Sequence, residues 1–248
     1  MRLVGRVELD MNDPKNQMKE YLEKLIFRFL RIKSLYNQVK IIYSWKKPIR
    51  NSAFETGSYF YNLTLYSFNR SIVLELYKLT SKREDKSLFD WLDKAKTHVK
   101  SLEPSNYSPK KGTREILNSN KYKSLIDDQI EEINNHRSTI DTLKIRRDKD
   151  IAHSDSTYFS DPEKLSAMFP LNKIDIEKLM ETISSILHKQ HTLIFHSDLT
   201  MNISSLHNVD SVLIATRAFN RVWKDKHLTR ELGVQVNKYR KDDYEERE

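Results

Sequence analysis

The sequence lacks cysteine, has only four glycines and six prolines, and contains no apolar run long enough for a membrane helix. Without cysteine there are no disulfides, thiolate metal ligands or cysteine nucleophile, which fits a reducing cytoplasm. The shortage of glycine and proline disfavours a turn-rich β-sandwich, and no glycine-rich phosphate loop is present. The N-terminal residues lack the apolar segment of a signal peptide. We therefore expect a cytoplasmic protein that spans no membrane.

The positive charge of the chain is concentrated in one segment. The 248 residues carry a net charge of +8, from 43 basic and 35 acidic side chains. Residues 19–50 hold only Glu20 and Glu23 against a run of basic residues. Such a stripe attracts polyanions, although an ordinary solvated helix face gives the same pattern. The basic residues are Lys19, Lys24, Arg28, Arg31, Lys33, Lys40, Lys46, Lys47 and Arg50.

Apolar residues recur with a helical period along almost the whole chain. In the first predicted helix, 13–45, they are spaced alternately by four and three residues from Leu25 to Tyr43. Asp13-Pro14 is a suitable helix start, and Pro48 follows its end. No strand pair is predicted, and residues 102–113 are expected to form a loop. The other predicted helices cover 52–81, 86–101, 113–150, 175–196 and 208–225.

This pattern predicts an all-α bundle with long antiparallel helices. We expect residues 1–200 to form the helical domain. Residues 201–248 are expected to form a C-terminal helical extension that ends in a charged tail with little to bury.

The sharpest motif is Arg-Asp-Lys-Asp-Ile-Ala-His-Ser-Asp at residues 147–155, where the fourth predicted helix stops. At about 100° per residue, Arg147 lies within roughly 20° of the centre of the apolar face, and Arg146 lies roughly 110° away. A guanidinium that points inward needs a partner or a wet cleft. Arg147 is therefore the better candidate for a functional arginine.

His153 follows Arg147 by six residues, about 240° around a regular helix. The two side chains cannot meet on one unbroken helix. Either the helix breaks near Ile151, or two copies of the motif face each other across a dimer. The alternative is that Arg147 pairs with an internal acid and His153 merely ends the helix.

The string RRDKDIAHSD resembles the R-[polar]-x(3–5)-H signature of HEPN domains. The segments 61–76 and 78–89 are similar to the AbiU-type, abortive-infection branch of that superfamily, and the resemblance covers about residues 15–195. It implies an all-α domain that forms a homodimer and brings two motifs into one composite cleft. Many such domains are metal-independent endoribonucleases.

By this resemblance, Arg147 and His153 match the catalytic pair, and Asp148 matches the polar position after the arginine. The reaction implied is attack of the ribose 2′-OH on the adjacent phosphorus, which restricts cleavage to RNA. His153 would move a proton, and Arg147 would stabilise charge on the phosphoryl oxygens. Asp148 would orient one of them, or it is a solvated acid at the helix end.

Further candidates are weaker. Asn69 and Glu75 flank the apolar stripe of the second helix and either position Arg147 or are ordinary boundary residues. His188 and His191 share a helix face, but no nearby carboxylate completes a metal site, so we expect neither metal nor cofactor. The RNA-binding candidates are Arg146, Lys149, Lys40, Lys46 and Lys47.

The sequence thus predicts a ribonuclease that acts as a toxin or phage-defence effector, with RNA as substrate and a neutralising protein as a conceivable partner. Two alternatives stay open. One is a non-catalytic module of the same fold that binds RNA, a nucleotide or a protein. The other is a purely structural helical dimer.

Overall fold

The computed structural model describes residues 13–47, 51–108, 113–152, 167–197, 199 and 209–224. Most of these residues are helical, which confirms the predicted all-α class. A π-helix (Arg147–Ala152) and a hairpin of β1 (Ser105–Ser108) and β2 (Thr113–Ile116) complete the described elements. The α-helices are α1 (Pro14–Trp45), α2 (Asn51–Thr56), α3 (Ser58–Thr80), α4 (Leu88–Thr97), α5 (Val99–Leu102), α6 (Ser119–Asn134), α7 (Arg137–Arg146), α8 (Lys173–Phe195) and α9 (Val209–Lys224).

The first helix begins where the sequence predicts. The Asp13 carboxylate accepts a hydrogen bond of 3.0 Å from the backbone N–H of Lys15, one of the donors that a helix start leaves without a partner. Pro14 has no N–H and suits the first helical position. The helix ends at Trp45, three residues before Pro48 in the sequence.

The chain divides into two compact units. Unit 1 comprises Met1–Leu35 and Asn69–Ile203, and unit 2 comprises Tyr36–Phe68 and Ser204–Glu248. Both α1 and α3 therefore contribute residues to each unit. The predicted boundary between residues 200 and 201 falls outside the described ranges, and the division at that point stays a prediction.

The core of unit 1 holds two polar features that join its helices. The fully buried Trp91 of α4 donates its indole N–H to the backbone oxygen of Met18 in α1, at 3.1 Å. The buried Tyr122 hydroxyl donates to Oε1 of Gln190, and Gln190 Nε2 donates to Oε1 of Gln129, each at 2.7 Å. This chain links α6 to α8 and satisfies polar groups that would otherwise be buried without partners. The apolar core around them includes Leu22, Leu25, Phe29, Ile32, Leu76, Leu79, Leu88, Leu92, Ile126, Ile133, Leu143, Leu179, Ile183 and Leu187.

In unit 2, α9 packs against α2. The indole N–H of Trp45 donates to the Asp210 carboxylate at 2.7 Å, and Gln38 Oε1 accepts from the backbone N–H of Val209 at 3.1 Å. Both contacts secure the first turn of α9, whose Leu213 is fully buried.

The prediction that residues 102–113 form only a loop, with no strand pair, is wrong. β1 and β2 pair antiparallel, with Ser105 opposite Ile116 and Ser108 opposite Thr113. These strands are four residues long and mostly polar, so they lack the alternating apolar pattern that marks a strand in a sequence. β1 is nevertheless anchored, because it packs on α8 and Ser105 is fully buried.

Three predicted helices are interrupted. The second, predicted over 52–81, is divided at Gly57 into α2 and α3. The third, predicted over 86–101, is divided at His98 into α4 and α5. The fourth, predicted over 113–150, begins only at Ser119, because β2 occupies its first residues. It is interrupted again at Asn135–His136, where residue types with low helix propensity follow one another, and changes to a π-helix at Arg147.

Candidate active site

Arg147 is the first residue of the π-helix, directly after α7 ends at Arg146. Its side chain is 20% exposed, so the guanidinium is largely withdrawn from solvent. Arg146 has a different environment, because its Nε donates to the backbone oxygen of Phe169 at 2.8 Å. Arg146 thus binds the backbone of Phe169, whereas Arg147 lies in a cluster of side chains.

Three side chains surround the Arg147 guanidinium. Its Nη1 donates to Oε1 of Glu84 at 2.9 Å, and its Nε donates to Oδ1 of Asp148 at 2.7 Å. Nη2 donates to the same Asp148 oxygen. The ring of Tyr77, a buried residue of α3, lies 4.0 Å from the guanidinium carbon, within cation–π range.

These contacts further stabilise the charged form of Arg147. Burial by itself lowers the pKa of the guanidinium, but the hydrogen bond to Asp148 and the negative charges of Asp148 and Glu84 outweigh it, so the pKa is raised. An arginine has five N–H donors, and the contacts to Glu84 and Asp148 use three of them. Among the residues that the structure describes, one N–H group on each Nη makes no hydrogen bond.

Glu84 is the residue of this cluster that the sequence analysis missed. It lies in the loop between α3 and α4, within the charged string Lys-Arg-Glu-Asp-Lys at 82–86, which has the composition of a solvated turn. The loop is nevertheless held at both ends. Ser81 Oγ accepts from the backbone N–H of Arg83 at 3.2 Å, and the buried Ser87 caps α4 by accepting from Asp90. No local pattern singles out Glu84, because its partner lies 63 residues further along the chain.

Asn69 and Glu75 of α3, which the sequence offered as residues that position Arg147, have other surroundings in the structure. Glu75 pairs with Arg28 of α1, with Nε and Oε2 3.3 Å apart, and lies 3.9 Å from the ammonium of Lys78. Asn69 is exposed. Within the described residues neither makes a hydrogen bond or ion pair with Arg147, whereas Glu84 makes both.

The remaining candidates are dispersed. Lys149 is half-buried in the π-helix, close in sequence to Arg147. Lys40, Lys46 and Lys47 belong to unit 2 and not to the unit that carries Arg147. Part of the basic stripe of α1 is neutralised inside unit 1, because Arg28 pairs with Glu75 and Lys24 with Glu20. His153 lies outside the described residues.

The π-helix lies at the motif itself. Such segments are rare, and they occur mostly as single-turn interruptions of α-helices, frequently at functional sites. A helix break near Ile151 was one of two alternatives that the sequence left open, the other being two motifs that face each other across a dimer. The described backbone departs from regular α-helix at Arg147 and stays in π geometry through Ala152.

Other histidines of unit 1 form separate pairs. His136 Nε2 and Thr182 Oγ1 are 2.9 Å apart, and His196 Nδ1 and Ser105 Oγ are 3.1 Å apart. His191 stacks on Phe195, with ring centroids 4.6 Å apart. In the ranges that the structure covers, no three histidine or acidic side chains are grouped as metal ligands.

Comparison with protein families decides the affiliation of the chain. The model of the AbiU2 family of HEPN domains matches residues 11–213. The chain belongs to this family. The match spans the Arg147 cluster of unit 1 and the described part of α9 up to Leu213, so it includes residues of both units. It confirms the resemblance inferred from the motif and from the segments 61–76 and 78–89.

Comparison with curated proteins and with solved structures gave no match. Among the helices of the described ranges, none combines the length and apolar character needed to cross a membrane. The family affiliation is that of an abortive-infection HEPN domain.

Proposed function

We propose that the protein is a metal-independent endoribonuclease that cuts RNA to leave a 2′,3′-cyclic phosphate. The observation that carries the proposal is the largely buried Arg147 guanidinium at the start of a π-helix, which within the described residues has two N–H groups without a hydrogen bond. Family membership supports it, because the motif that matches the HEPN signature begins at this arginine.

In the proposed reaction the ribose 2′-oxygen forms a bond to the adjacent phosphorus, and the bond from phosphorus to the 5′-oxygen breaks. A proton leaves the 2′-OH and another reaches the departing 5′-oxygen, so the products are a cyclic phosphate and a 5′-hydroxyl. His153 moves one of these protons, as a group that titrates near neutral pH is suited to do. Arg147 donates its two remaining N–H groups to the phosphoryl oxygens, and Asp148 orients the guanidinium.

The site is proposed to be composite, with the motifs of two chains in one cleft of a homodimer. Cleavage would then depend on protein concentration in the range where the dimer dissociates. Mixed dimers of Arg147→Ala and His153→Ala chains would regain activity only if the two residues act across the interface. Equal inactivity of the mixture and of each variant alone would place both residues in the same chain.

The test of the reaction is incubation of the purified protein with total RNA in EDTA. The proposal expects cleavage by the wild type, none by His153→Ala, and fragments that end in cyclic phosphate. Arg147→Lys keeps the charge but loses the planar fork, so it should lose most of the activity. Intact RNA with the wild type, or equal cutting by His153→Ala, would refute the proposal.

The biological proposal is a growth-arresting effector of phage defence that acts in the cytoplasm and is held inactive by a neutralising protein. Expression in a bacterial host should arrest growth, and His153→Ala should relieve the arrest. Equal growth arrest by the wild type and by His153→Ala would show that the toxicity does not come from the proposed chemistry.

One observation favours the alternative of a non-catalytic binding module. Glu84 and Asp148 both contact Arg147, so the cluster holds two carboxylates for one guanidinium. Such a balance disfavours a phosphate at Arg147 unless another cation joins it, whereas RNA bound on the basic residues of α1 would not need to place a phosphate beside these two carboxylates. The alternative predicts salt-sensitive binding without product, unchanged in His153→Ala.

A further inference from the structure

Unit 2 carries three large exposed aromatic rings and an exposed lysine at the end of α1 and the start of α3. Tyr43 is 51% exposed, Phe60 62% and Tyr59 82%. The Lys46 ammonium lies near the Tyr43 ring and donates to Asn62, which is one helical turn from Tyr59 in α3. We call Tyr43, Lys46, Tyr59 and Phe60 the aromatic–lysine surface. Large rings in contact with solvent are unfavourable for an isolated protein, and a group of them marks a surface that meets a partner.

The surface rests on a buried layer of rings. Phe54 and Tyr61 are both buried and stack with centroids 5.6 Å apart. Phe60 meets Tyr61 edge to face at 5.3 Å. The layer is closely packed, since a Cβ added at Gly57 would lie 3.1 Å from the Tyr61 ring. Phe60 is therefore held from below while most of the residue faces solvent.

The lysine is fixed in place among these rings. The Lys46 ammonium lies 4.9 Å from the centre of the Phe54 ring and 5.4 Å from that of Tyr43, and it donates to Asn62 Oδ1 at 3.0 Å. A cation is thus positioned beside the exposed ring of Tyr43 and over the buried ring of Phe54. This spacing suits a chain whose phosphates alternate with flat bases.

The charge of this segment favours an anionic partner over a second copy of the same chain. Residues 36–47 contain Lys40, Lys46 and Lys47 and no acidic residue. In a two-fold symmetric dimer the same patch lies on both sides of the interface, which would bring the lysines of two copies together without an acidic residue of this segment to offset them. A polyanion meets no such repulsion.

We propose that the aromatic–lysine surface binds single-stranded nucleic acid by stacking bases on Tyr43, Tyr59 and Phe60, with Lys46 against the backbone. Stacking tolerates any base and needs unpaired bases, and it does not use the 2′-OH. The inference rests on the proposed function, in which this surface holds an unpaired stretch of the RNA substrate. The surface should bind single-stranded DNA as well, which the proposed reaction cannot cut.

The experiment uses the full chain and a fluorescent single-stranded DNA of about 16 nucleotides, with binding followed by anisotropy. Phe60→Ala and Tyr59→Ala are each expected to weaken binding about tenfold. The matched control is Phe27→Ala, because Phe27 is 73% exposed but belongs to unit 1. This control should bind like the wild type.

Lys46→Gln tests the charge. It should lower the slope of log affinity against log salt by about 0.7, the contribution of one phosphate contact to a single strand. Lys24→Gln is its control, since Lys24 pairs with Glu20 in unit 1. Thermal unfolding of each variant identifies any that is misfolded, and Tyr59→Ala is the safest because that residue is the most exposed.

Weaker binding by Phe60→Ala and Tyr59→Ala, but not by Phe27→Ala, supports the inference. Equal binding by all variants, or equal affinity of the wild type for duplex and single strand, overturns it. Ring substitutions that reduce only binding to anionic vesicles, or only self-association, overturn it in favour of a membrane or a second copy.

The two proposals fail separately. If the wild type cuts no RNA but Phe60→Ala weakens DNA binding, the proposed function is refuted and the nucleic-acid surface is supported. If RNA is cut but the ring substitutions leave DNA binding unchanged, the surface is refuted and the proposed function is supported.

Discussion

The ion pair between Glu84 and Arg147 can be tested by a double-mutant cycle. The two side chains are 34% and 20% exposed, and their closest atoms are 2.9 Å apart. Exposed pairs contribute about 0.2–1 kcal/mol and hydrogen bonds to charged groups about 1.5–3 kcal/mol, so partial solvent screening places this pair near 1 kcal/mol. Glu84→Ala should lower the free energy of unfolding by about that amount.

Arg147→Ala should be more damaging. It removes the contact with Tyr77 as well as both hydrogen-bonded pairs, and it leaves Glu84 and Asp148 without their shared cation. We expect a loss of about 2–3 kcal/mol, or a fall in melting temperature of about 4–12 °C for a chain of this size. The double variant should lose less than the sum of the single variants, by about 1 kcal/mol.

The measurement is urea unfolding of the two single variants, the double variant and the wild type. The matched control is the cycle on Arg137 and Asp141, an arginine–acid pair on α7 that is 85% and 62% exposed at 3.7 Å. Its coupling should be at most about 0.5 kcal/mol. A Glu84–Arg147 coupling no larger than the control would refute the inference that Glu84 holds Arg147.

The same variants connect stability to the proposed reaction. If Glu84 positions Arg147, Glu84→Ala should reduce RNA cleavage about tenfold or more, since small misplacements of a catalytic group have large effects on rate. Glu84→Gln keeps an acceptor oxygen and should restore most of the activity. Full activity of Glu84→Ala would show that Arg147 needs no such support.

Three further predictions concern unit 1. Tyr122→Phe removes the donor to the buried Gln190 oxygen and should lower the free energy of unfolding by about 1–3 kcal/mol, whereas an unchanged urea midpoint would contradict the buried chain. Burial and the charge of Lys178 lower the pKa of His136, so below about pH 6.5 the unfolded chain binds this proton more readily. The free energy of unfolding should therefore fall as the pH drops below about 6.5 and through the folded pKa. His136→Gln should remove this contribution to the dependence of the free energy of unfolding on pH. An equal dependence in the wild type and the variant would contradict the prediction. Ser87→Ala removes the cap of α4 and should cost about 1 kcal/mol in the same assay, while a stable variant would mean that the cap is dispensable.

Long periodic segments could be predicted closely. The first helix, expected over 13–45, is observed at Pro14–Trp45, and the helix expected over 175–196 is observed at Lys173–Phe195. Their apolar stripes extend over many turns, and starts such as Asp13-Pro14 act through neighbouring residues alone. The hairpin of β1 and β2 was missed, since short polar strands are stabilised by packing on α8 and not by their own pattern.

The candidate site could be predicted only in part. Arg147 and Asp148 are adjacent in sequence, and the apolar period indicated that Arg147 faces inward, where its side chain is largely buried. Glu75 was a plausible partner by its place on a helix face, but it pairs with Arg28 instead. Glu84 lies in a charged loop, and nothing in its local sequence distinguishes it from its neighbours.

By itself, the sequence determined the helical class, the ends of α1 and α8 within two residues, the family and the arginine that we propose as catalytic. These depend on properties that act within a few turns, namely apolar spacing, capping and a short motif. Only the tertiary structure decided which acid holds Arg147, where the helix widens into a π-helix, and which rings of unit 2 are left in solvent. Those outcomes depend on side chains far apart in sequence, which compete for the same partners once the chain has folded.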